Sequence, residues 1–178
     1  MIITKPGNQE YAAYYQQYID KVSDNDLLKA LEENKEQLVK LAGSVPADKA
    51  DFRYAVGKWS IKEVLSHMSD TERIFAYRAL RFARNDKAPL TGFDEEEYAP
   101  ESNASGRTIG SITDELLKVR EATIALFSSF SEPMFMRNGT ANNNVISVSA
   151  IGFIITGHAI HHMDVISEKY LSPSRSNI

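Results

Sequence analysis

The chain has 178 residues, no cysteine and a formal net charge of −4 at neutral pH. Its length is that of one ordinary domain, which we expect to span residues 1–178 and to bury a substantial core. The absence of cysteine excludes disulfides and thiolate metal sites and is compatible with a cytoplasmic location, and the negative charge gives no electrostatic reason to bind nucleic acid.

No part of the sequence predicts insertion into a membrane. The first residues, Met-Ile-Ile-Thr-Lys-Pro, lack the long apolar stretch of a signal peptide. The most apolar region, residues 145–155, is interrupted by serine and glycine and is too short to span a bilayer. We therefore expect neither a membrane nor a nucleic acid as a partner.

The N-terminal half predicts two long helices and a short helical extension. Residues 10–22 carry four tyrosines and are expected to form the extension. Leucines at helical spacing predict a first long helix over residues 24–42. Ser60 and Glu63 form a capping-box pattern, which predicts the start of a second helix that runs to about Arg84.

The C-terminal half predicts a long loop and two further helices. Residues 85–107 contain two prolines and two glycines and are expected to form the loop, which at this length usually has a functional role. A third helix is predicted over residues 111–130. After a turn at Asn138-Gly139, a fourth is predicted from a cap at 142–144 to about Leu171, followed by solvated coil. Four long helices predict an all-α fold, an antiparallel four-helix bundle.

All four histidines lie in two of these helices. His158 and His162 are four residues apart, so they project from one helix face with Cβ atoms about 6 Å apart. His67 lies on a mainly apolar face of the second helix. A buried imidazole is costly unless its nitrogens are bonded, and a backbone carbonyl would suffice for any single one. The pair together with a third histidine favours a divalent metal, and three protein ligands with an open position are typical of catalytic sites.

Three further residues are candidates for supporting the metal ligands. His161 is the least well aligned of the histidines on its helix, so we expect it beside the ligand set rather than within it. Asp70 and Asp164 are candidates to accept a hydrogen bond from the outer N–H of a ligand histidine. The alternative for each carboxylate is an ordinary solvated position on the helix surface.

Two charged residues of the second helix allow both a chemical and a structural interpretation. Glu63, one turn from His67, is a candidate general base, but its place in the capping box explains it without chemistry. Arg78 lies about 16 Å from His67 along the helix axis and could meet an anionic group of a substrate. An exposed ion pair is the alternative for Arg78.

The two histidine segments resemble the signatures of a known family. Residues 57–72, Gly-Lys-Trp-Ser-Ile-Lys-Glu-Val-Leu-Ser-His-Met-Ser-Asp-Thr-Glu, are similar to the first signature of the DinB-like superfamily of four-helix metalloproteins, and Gly157-His-x3-His is similar to the second. The resemblance implies an up-down-down-up bundle, frequently dimeric. It also implies that His67, His158 and His162 bind a divalent metal, commonly zinc or nickel, although imidazole also accepts iron(II).

The resemblance leaves the activity open. Many relatives carry a basic Arg-Gly-Gln after the last histidine, whereas this chain has Met163-Asp164-Val165, so no particular substrate is implied. Some members transfer small thiols such as bacillithiol or mycothiol to electrophiles. We expect such a metal-dependent transferase, with a small thiol as cosubstrate and a small molecule as substrate, because a metal on neutral imidazoles lowers the pKa of a bound thiol.

Two alternatives to a transferase remain. The first is a metal-dependent hydrolase of small amides or esters, although no H-E-x-x-H motif supplies the carboxylate base that hydrolases generally need. The second is a non-enzymatic helical protein with a structural or vestigial metal site. Three ligands with no obvious fourth argue against a purely structural metal.

The fourth helix carries a second apolar stripe. Ile146, Phe153 and Ile160 recur every seven residues and lie roughly opposite His158. Because a bundle helix normally has one apolar face, this stripe must be covered, either by the tyrosine-rich N-terminal segment or by another subunit. We expect a symmetric homodimer, in which the same patch is used by both chains.

Overall fold

The computed structural model describes residues 2–172, and these residues are mainly helical. The helices are α1 (Gln16–Ile19), α2 (Leu27–Ser44), α3 (Ile61–Ala83), α4 (Glu95–Glu101), α5 (Ile109–Ser128), α6 (Glu132–Phe135) and α7 (Val148–Val165). A π-helical segment, Ile166–Leu171, continues α7. The predicted all-α class is confirmed, whereas the coil predicted beyond residue 172 lies outside the described residues.

The four long helices, α2, α3, α5 and α7, form the up-down-down-up bundle. Both α2 and α3 pack against α5 and α7. α3 and α5 run in the same direction, because Lys62 Nζ reaches the carbonyl of Ser105 near the start of both helices and Arg73 pairs with Glu115 further along. The connection from α3 to α5 must therefore return along the whole bundle, which explains its length.

α7 runs opposite to α3 and in the same direction as α2. The Tyr170 hydroxyl, beyond the end of α7, donates a hydrogen bond to the carbonyl of Trp59, just before α3 begins. Leu27, at the start of α2, lies against Gly152, near the start of α7. No helix within residues 2–172 combines the length and the apolar character that crossing a bilayer requires.

α3 begins at the capping box that the sequence predicts. The Ser60 side chain accepts a hydrogen bond from the Glu63 backbone N–H, and the Glu63 carboxylate accepts one from the Ser60 backbone N–H at 2.6 Å. Burial alone would raise the pKa of Glu63, but the hydrogen bonds from Ser60 and Arg53 lower it. Glu63 is therefore an ionised cap, which is the structural interpretation of this residue.

The start predicted for the fourth helix is wrong, because a β-hairpin occupies residues 138–147. Strand β1 (Asn138–Ala141) pairs antiparallel with β2 (Asn144–Ser147). The turn lies at Asn142 and Asn143, whose φ angles of 47° and 62° are those of a type I′ hairpin turn. The cap of α7 is Ser147 rather than residues 142–144, and its Oγ accepts a hydrogen bond from Ala150 N at 3.0 Å.

The turn predicted at Asn138-Gly139 is also wrong, since both residues lie within β1. A Cβ atom on Gly139 would come within 2.2 Å of the Phe82 ring. Glycine therefore occupies this position because the hairpin packs closely on α3, and not because the backbone turns there.

Two segments differ in length or content from their predictions. The N-terminal extension is helical only over a 3-10 turn, Ala13–Tyr15, and the single turn of α1, not over all of residues 10–22. Tyrosine has only a moderate helix propensity, and here the segment is held by packing on α7. The connection over residues 85–107 is not a plain loop, because it contains α4 and a 3-10 turn, Ala104–Gly106.

The N-terminal segment packs on α7 next to the second apolar stripe. Ile146 and Phe153 are buried and Ile160 is partly buried within one chain. The backbone carbonyl of Tyr18 lies so close to Gly157 that a Cβ there would be 1.9 Å from it. The stripe is therefore covered without a second subunit, so the uncovered apolar face that favoured a dimer is not present.

The interior of the bundle is divided into two apolar clusters by a layer of polar side chains. One cluster contains Leu27, Leu31, Phe75, Phe82, Phe127, Phe153 and Ile155, and the other contains Leu38, Ile61, Leu65, Met68, Leu116, Ala159 and Tyr170. On each long helix a buried polar residue separates the two, namely Asn34, Glu72, Arg120 and Thr156. The histidines lie close to this boundary.

Candidate metal centre

α3 and α7 bring His67, His158 and His162 together. The Nε2 atom of His158 is 3.1 Å from Nε2 of His67 and 3.0 Å from Nε2 of His162. The ligand atoms of all three rings lie within 4.8 Å of one another. The helical spacing of four residues aligns the pair on α7, and the antiparallel packing of α3 supplies the third ring.

Burial keeps these three histidines neutral. It lowers the pKa of His67 to about 4. The pKa values of His158 and His162 are lowered well below the usual range, first by burial and then by the neighbouring histidines. At neutral pH each ring therefore offers a nitrogen lone pair, which is the form that binds a metal ion.

The donor set fits a divalent cation. Zinc–nitrogen bonds are about 2.0–2.1 Å long, so two ligand nitrogens at 90–110° around one ion are roughly 3.0–3.4 Å apart. The two Nε2–Nε2 distances at His158 fall at the short end of that range. Three neutral nitrogens directed at one another cannot all be satisfied by sharing protons among themselves, whereas one cation would satisfy all three.

Two aromatic rings and one hydroxyl surround the histidine cluster. The Trp59 ring is 4.8 Å from the His67 ring, and the Tyr18 ring is 5.6 Å from the His158 ring. Thr71 Oγ1 lies 3.5 Å from Nδ1 of His67. Thr71 shares the helix face of His67 in the sequence, but the position of Tyr18 depends on the N-terminal segment and has no local signal.

The other candidates from the sequence lie outside the cluster. His161 packs edge-on against Tyr18, with ring centroids 5.6 Å apart, and it is not one of the three histidines whose nitrogens converge. Asp164 accepts a hydrogen bond from Lys21 at 2.7 Å, and Asp70 lies near Arg73 in a depression on the α4 and α5 side of α3. Within residues 2–172 neither carboxylate bonds to a histidine, so the expected support from Asp70 and Asp164 is not found.

The histidine cluster opens into a cleft with a volume of about 670 Å³. Several aromatic side chains line it, among them Tyr15, Tyr18, Trp59, Phe75 and Phe93. Two carboxylates, Glu95 and Glu96 of α4, also line it, so the connection between α3 and α5 supplies part of the wall. The cleft is large enough for a small organic molecule.

Arg78 lines the same cleft and does not form the exposed ion pair considered from the sequence. It is only 4% exposed, and its Nη2 donates a hydrogen bond to the carbonyl of Thr91 at 3.0 Å. Its guanidinium carbon lies 4.9 Å from the centre of the Phe75 ring. No carboxylate among the described residues lies within 4.0 Å of it, although ion pairs are frequent elsewhere in this part of the chain.

A second buried polar group was missed by sequence reasoning. Arg120 is fully buried and donates two hydrogen bonds to the Glu72 carboxylate, at 2.8 and 2.9 Å, and a further one to the side-chain oxygen of Asn34. The helical pattern of α5 predicts apolar buried positions, and it does not mark an arginine as one of them. The only sequence signal for the burial of Arg120 was its position one helical turn, four residues, after the apolar residue Leu116.

Comparisons with known proteins agree with this architecture. The model of the DinB superfamily matches residues 30–166. A protein of Oceanobacillus iheyensis named "Putative metal-dependent hydrolase" is 24% identical over 151 residues, covering 81% of this chain and 85% of that protein.

Two solved structures are similar to the whole fold. YfiT from Bacillus subtilis, described as "a probable metal-dependent hydrolase with an unusual four-helix bundle topology", matches with a TM-score of 0.74 at 17% identity, over 92% of this chain and 91% of its own. A mycothiol-dependent maleylpyruvate isomerase matches with a TM-score of 0.63 at 13% identity, over 78% of this chain and 58% of that one. With the family model covering most of its length, the chain belongs to the DinB superfamily.

Proposed function

We propose that this protein is a metal-dependent enzyme that acts on a small molecule in the cleft. His67, His158 and His162 hold a divalent ion, for which we favour zinc or nickel over iron(II). The observation that carries the proposal is the group of three neutral imidazole nitrogens, 3.0–3.1 Å apart at His158, at the wall of a cleft. A purely structural zinc site normally has four protein ligands, and here the described residues offer three.

A divalent ion on three neutral imidazoles keeps its full charge and lowers the pKa of a thiol or water bound to it. The protein contributes neutral ligands, because burial prevents protonation of the three rings. Trp59 and Tyr18 shield the histidines on two sides, so a bound nucleophile would meet its partner in a partly dehydrated cleft.

The nucleophile that we favour is a low-molecular-weight thiol, which makes the protein a thiol transferase. Activation of water generally needs a positioned carboxylate base. In the described part of the chain, Glu63 is engaged in the helix cap, Asp164 pairs with Lys21, and Asp70 faces away from the cleft. Glu95 and Glu96 line the cleft, but within residues 2–172 neither forms a hydrogen bond with a histidine. A thiol needs no such base, because its ordinary pKa is already close to neutral and metal binding lowers it further.

A hydrolase of small amides or esters is the second candidate. The observation in its favour is that Glu95 and Glu96 line the cleft from α4, where a bound substrate would lie between them and the histidines. The names of two similar proteins agree with this alternative. In a third alternative the histidines bind a metal without catalysis.

The deciding experiment is elemental analysis of protein purified without a histidine tag, followed by two assays on the metal-loaded protein. A panel of thiols is tested with 1-chloro-2,4-dinitrobenzene as the electrophile, and p-nitrophenyl acetate is tested as an ester. We expect about one divalent ion per chain and thiol conjugation that is lost in His158→Ala. Ester hydrolysis without conjugation would favour the hydrolase, and metal binding without either activity would favour the non-enzymatic alternative.

We further propose that the chain is one domain over residues 1–178 and that it acts in the cytoplasm as a homodimer. The dimer now rests on the family resemblance alone, because α1 covers the apolar stripe of α7. Sedimentation at micromolar concentration tests it, and a species of 19.9 kDa would refute it.

A further inference from the structure

The cleft contains a buried positive charge at some distance from the histidine cluster. Of the arginines in residues 2–172, only Arg78 and Arg120 are buried. Arg120 has a bidentate carboxylate partner in Glu72. Arg78 has no carboxylate within 4.0 Å in the same part of the chain, and its one hydrogen bond to the protein goes to the carbonyl of Thr91.

A buried guanidinium without an anion is energetically unfavourable. Arginine has five N–H donors, and a single backbone carbonyl leaves most of them without a protein acceptor. The Phe75 ring beneath the guanidinium offers only a partial compensation. Burial also lowers the pKa of Arg78, in keeping with its small exposed fraction. An anion entering the cleft would remove this penalty through charge-assisted hydrogen bonds.

The position of Arg78 relates it directly to the metal ligands. His67, Thr71, Phe75 and Arg78 follow one another at helical spacing along one face of α3, and all four line the cleft. Arg78 is eleven residues from His67, about 16 Å along the helix axis, and its side chain leans back toward the N-terminus of α3. A ligand with one end at the histidines and the other end at Arg78 would lie along this face of α3, against Phe75.

We propose that Arg78 is a specificity-determining residue that binds a carboxylate of the small-molecule substrate, whose apolar or aromatic body lies against Phe75. The assignment of the other end of that molecule to the histidine cluster rests on the proposed function. A carboxylate fits better than a phosphate dianion, because it carries less negative charge into a cleft that is lined by Glu95 and Glu96 as well as by Arg78 and Lys58. One planar guanidinium matches one carboxylate.

The test is a comparison of two probes of nearly the same size and shape, the anionic 4-phenylbutyrate and the neutral 4-phenylbutyramide. Their affinities for the full-length protein are measured by calorimetry, with the metal content of each sample determined. We expect the carboxylate to bind about tenfold or more tightly than the amide. In Arg78→Gln this preference should disappear, while Arg78→Lys should keep part of it.

Arg73→Gln is the matched control, because Arg73 lies on the same helix but is exposed and pairs with Glu115. It should leave the preference for the carboxylate unchanged. Because Arg78 also tethers Thr91, circular dichroism of each variant checks the fold, and partial rescue by lysine separates charge from tethering. Equal affinity of the two probes for the wild type, or a preference that persists in Arg78→Gln, overturns the proposal.

The same samples separate this inference from the proposed function. Protein that takes up no divalent metal but keeps an Arg78-dependent preference for the carboxylate would refute the metal enzyme and leave the anion site intact. Protein that takes up metal and binds both probes equally would refute the anion site at Arg78 and leave the metal enzyme intact.

Discussion

The interior of the bundle holds two polar groups on the same helix, and they differ in how completely their atoms are paired. Glu72 meets Arg120 in a two-fold hydrogen-bonded ion pair, with Asn34 alongside. His67, five residues earlier, faces His158 and His162 with three neutral nitrogens and no other acceptor or donor between them. The Arg120 network, His67 and His158 are buried and His162 is partly buried, but only the histidine cluster opens into a cleft.

The difference separates a structural polar group from a functional one. In the Arg120 network each charge has its partner within the protein, so the group joins α2, α3 and α5 and needs nothing from outside. In the histidine cluster no other described residue pairs with the facing nitrogens, so we infer that their partner is the proposed metal ion. Burial of polar side chains alone would not have distinguished the two, whereas their pairing does.

The largest expected effect is the loss of metal binding in His158→Ala. His158 contacts both other histidines, so its removal leaves two ligands that cannot hold an ion as a chelating set. We expect metal content to fall from about one ion per chain to near zero, while helix content by circular dichroism stays largely unchanged. His161→Ala is the control and should retain the metal. If His158→Ala kept its metal, the cluster would not be the site.

The next largest effect is on stability, through Glu72→Gln. This change leaves the Arg120 charge buried without its counter-ion, and breaking a buried pair in this way costs about 3–5 kcal/mol of the free energy of unfolding. Urea denaturation measures it. The exposed pair Lys118–Asp114 provides the comparison, because solvent screens it and Lys118→Ala should therefore cost far less than Glu72→Gln. Similar losses in both variants would contradict a structural role specific to the buried network.

A smaller effect is expected from Gly157→Ala, which acts on the wall of the cleft. The new methyl group would collide with the backbone carbonyl of Tyr18, so the N-terminal segment would have to move away from His158. We expect a destabilisation of about 1–3 kcal/mol in urea denaturation. In Gly110→Ala the methyl group would be 3.9 Å from its nearest neighbour, so this control should be neutral or stabilising. Equal stability of both variants would show that the Tyr18 contact is unimportant.

The last prediction concerns how the free energy of unfolding of the metal-free protein depends on pH. In the unfolded chain His67 takes up a proton below its ordinary pKa of 6.5, whereas in the folded chain it does so only near its lowered pKa of about 4. The unfolded state therefore binds more protons between these values, and the free energy of unfolding should fall as the pH falls. The slope is about 1.4 kcal/mol per pH unit for each such histidine.

Urea denaturation at several pH values between 7 and 5 measures this slope, and His67→Asn should reduce it by the contribution of one histidine. A free energy of unfolding that is independent of pH between 7 and 5 would mean that the histidines are not buried in the neutral form.

Local sequence patterns determined the helices and the pair on α7. The Ser60–Glu63 capping box fixed the start of α3, because its hydrogen bonds are made within one turn. His158 and His162 share a face through the helical repeat alone. The same local reasoning failed at Asn142 and Asn143, where two residues in the left-handed region form a hairpin turn rather than a helix cap.

Only the tertiary structure decided which polar residues are paired. Each pairing depends on how segments that are distant in sequence pack together. This holds for the pairs Arg120–Glu72 and Asp164–Lys21, and for Arg78, which has no carboxylate partner among residues 2–172. The sequence indicated that three histidines would bind one metal ion, because histidine is a common metal ligand and all the histidines of the chain lie in two helices. The shape of their cleft was decided by the N-terminal segment and α4, whose positions come from packing and carry no periodic signal.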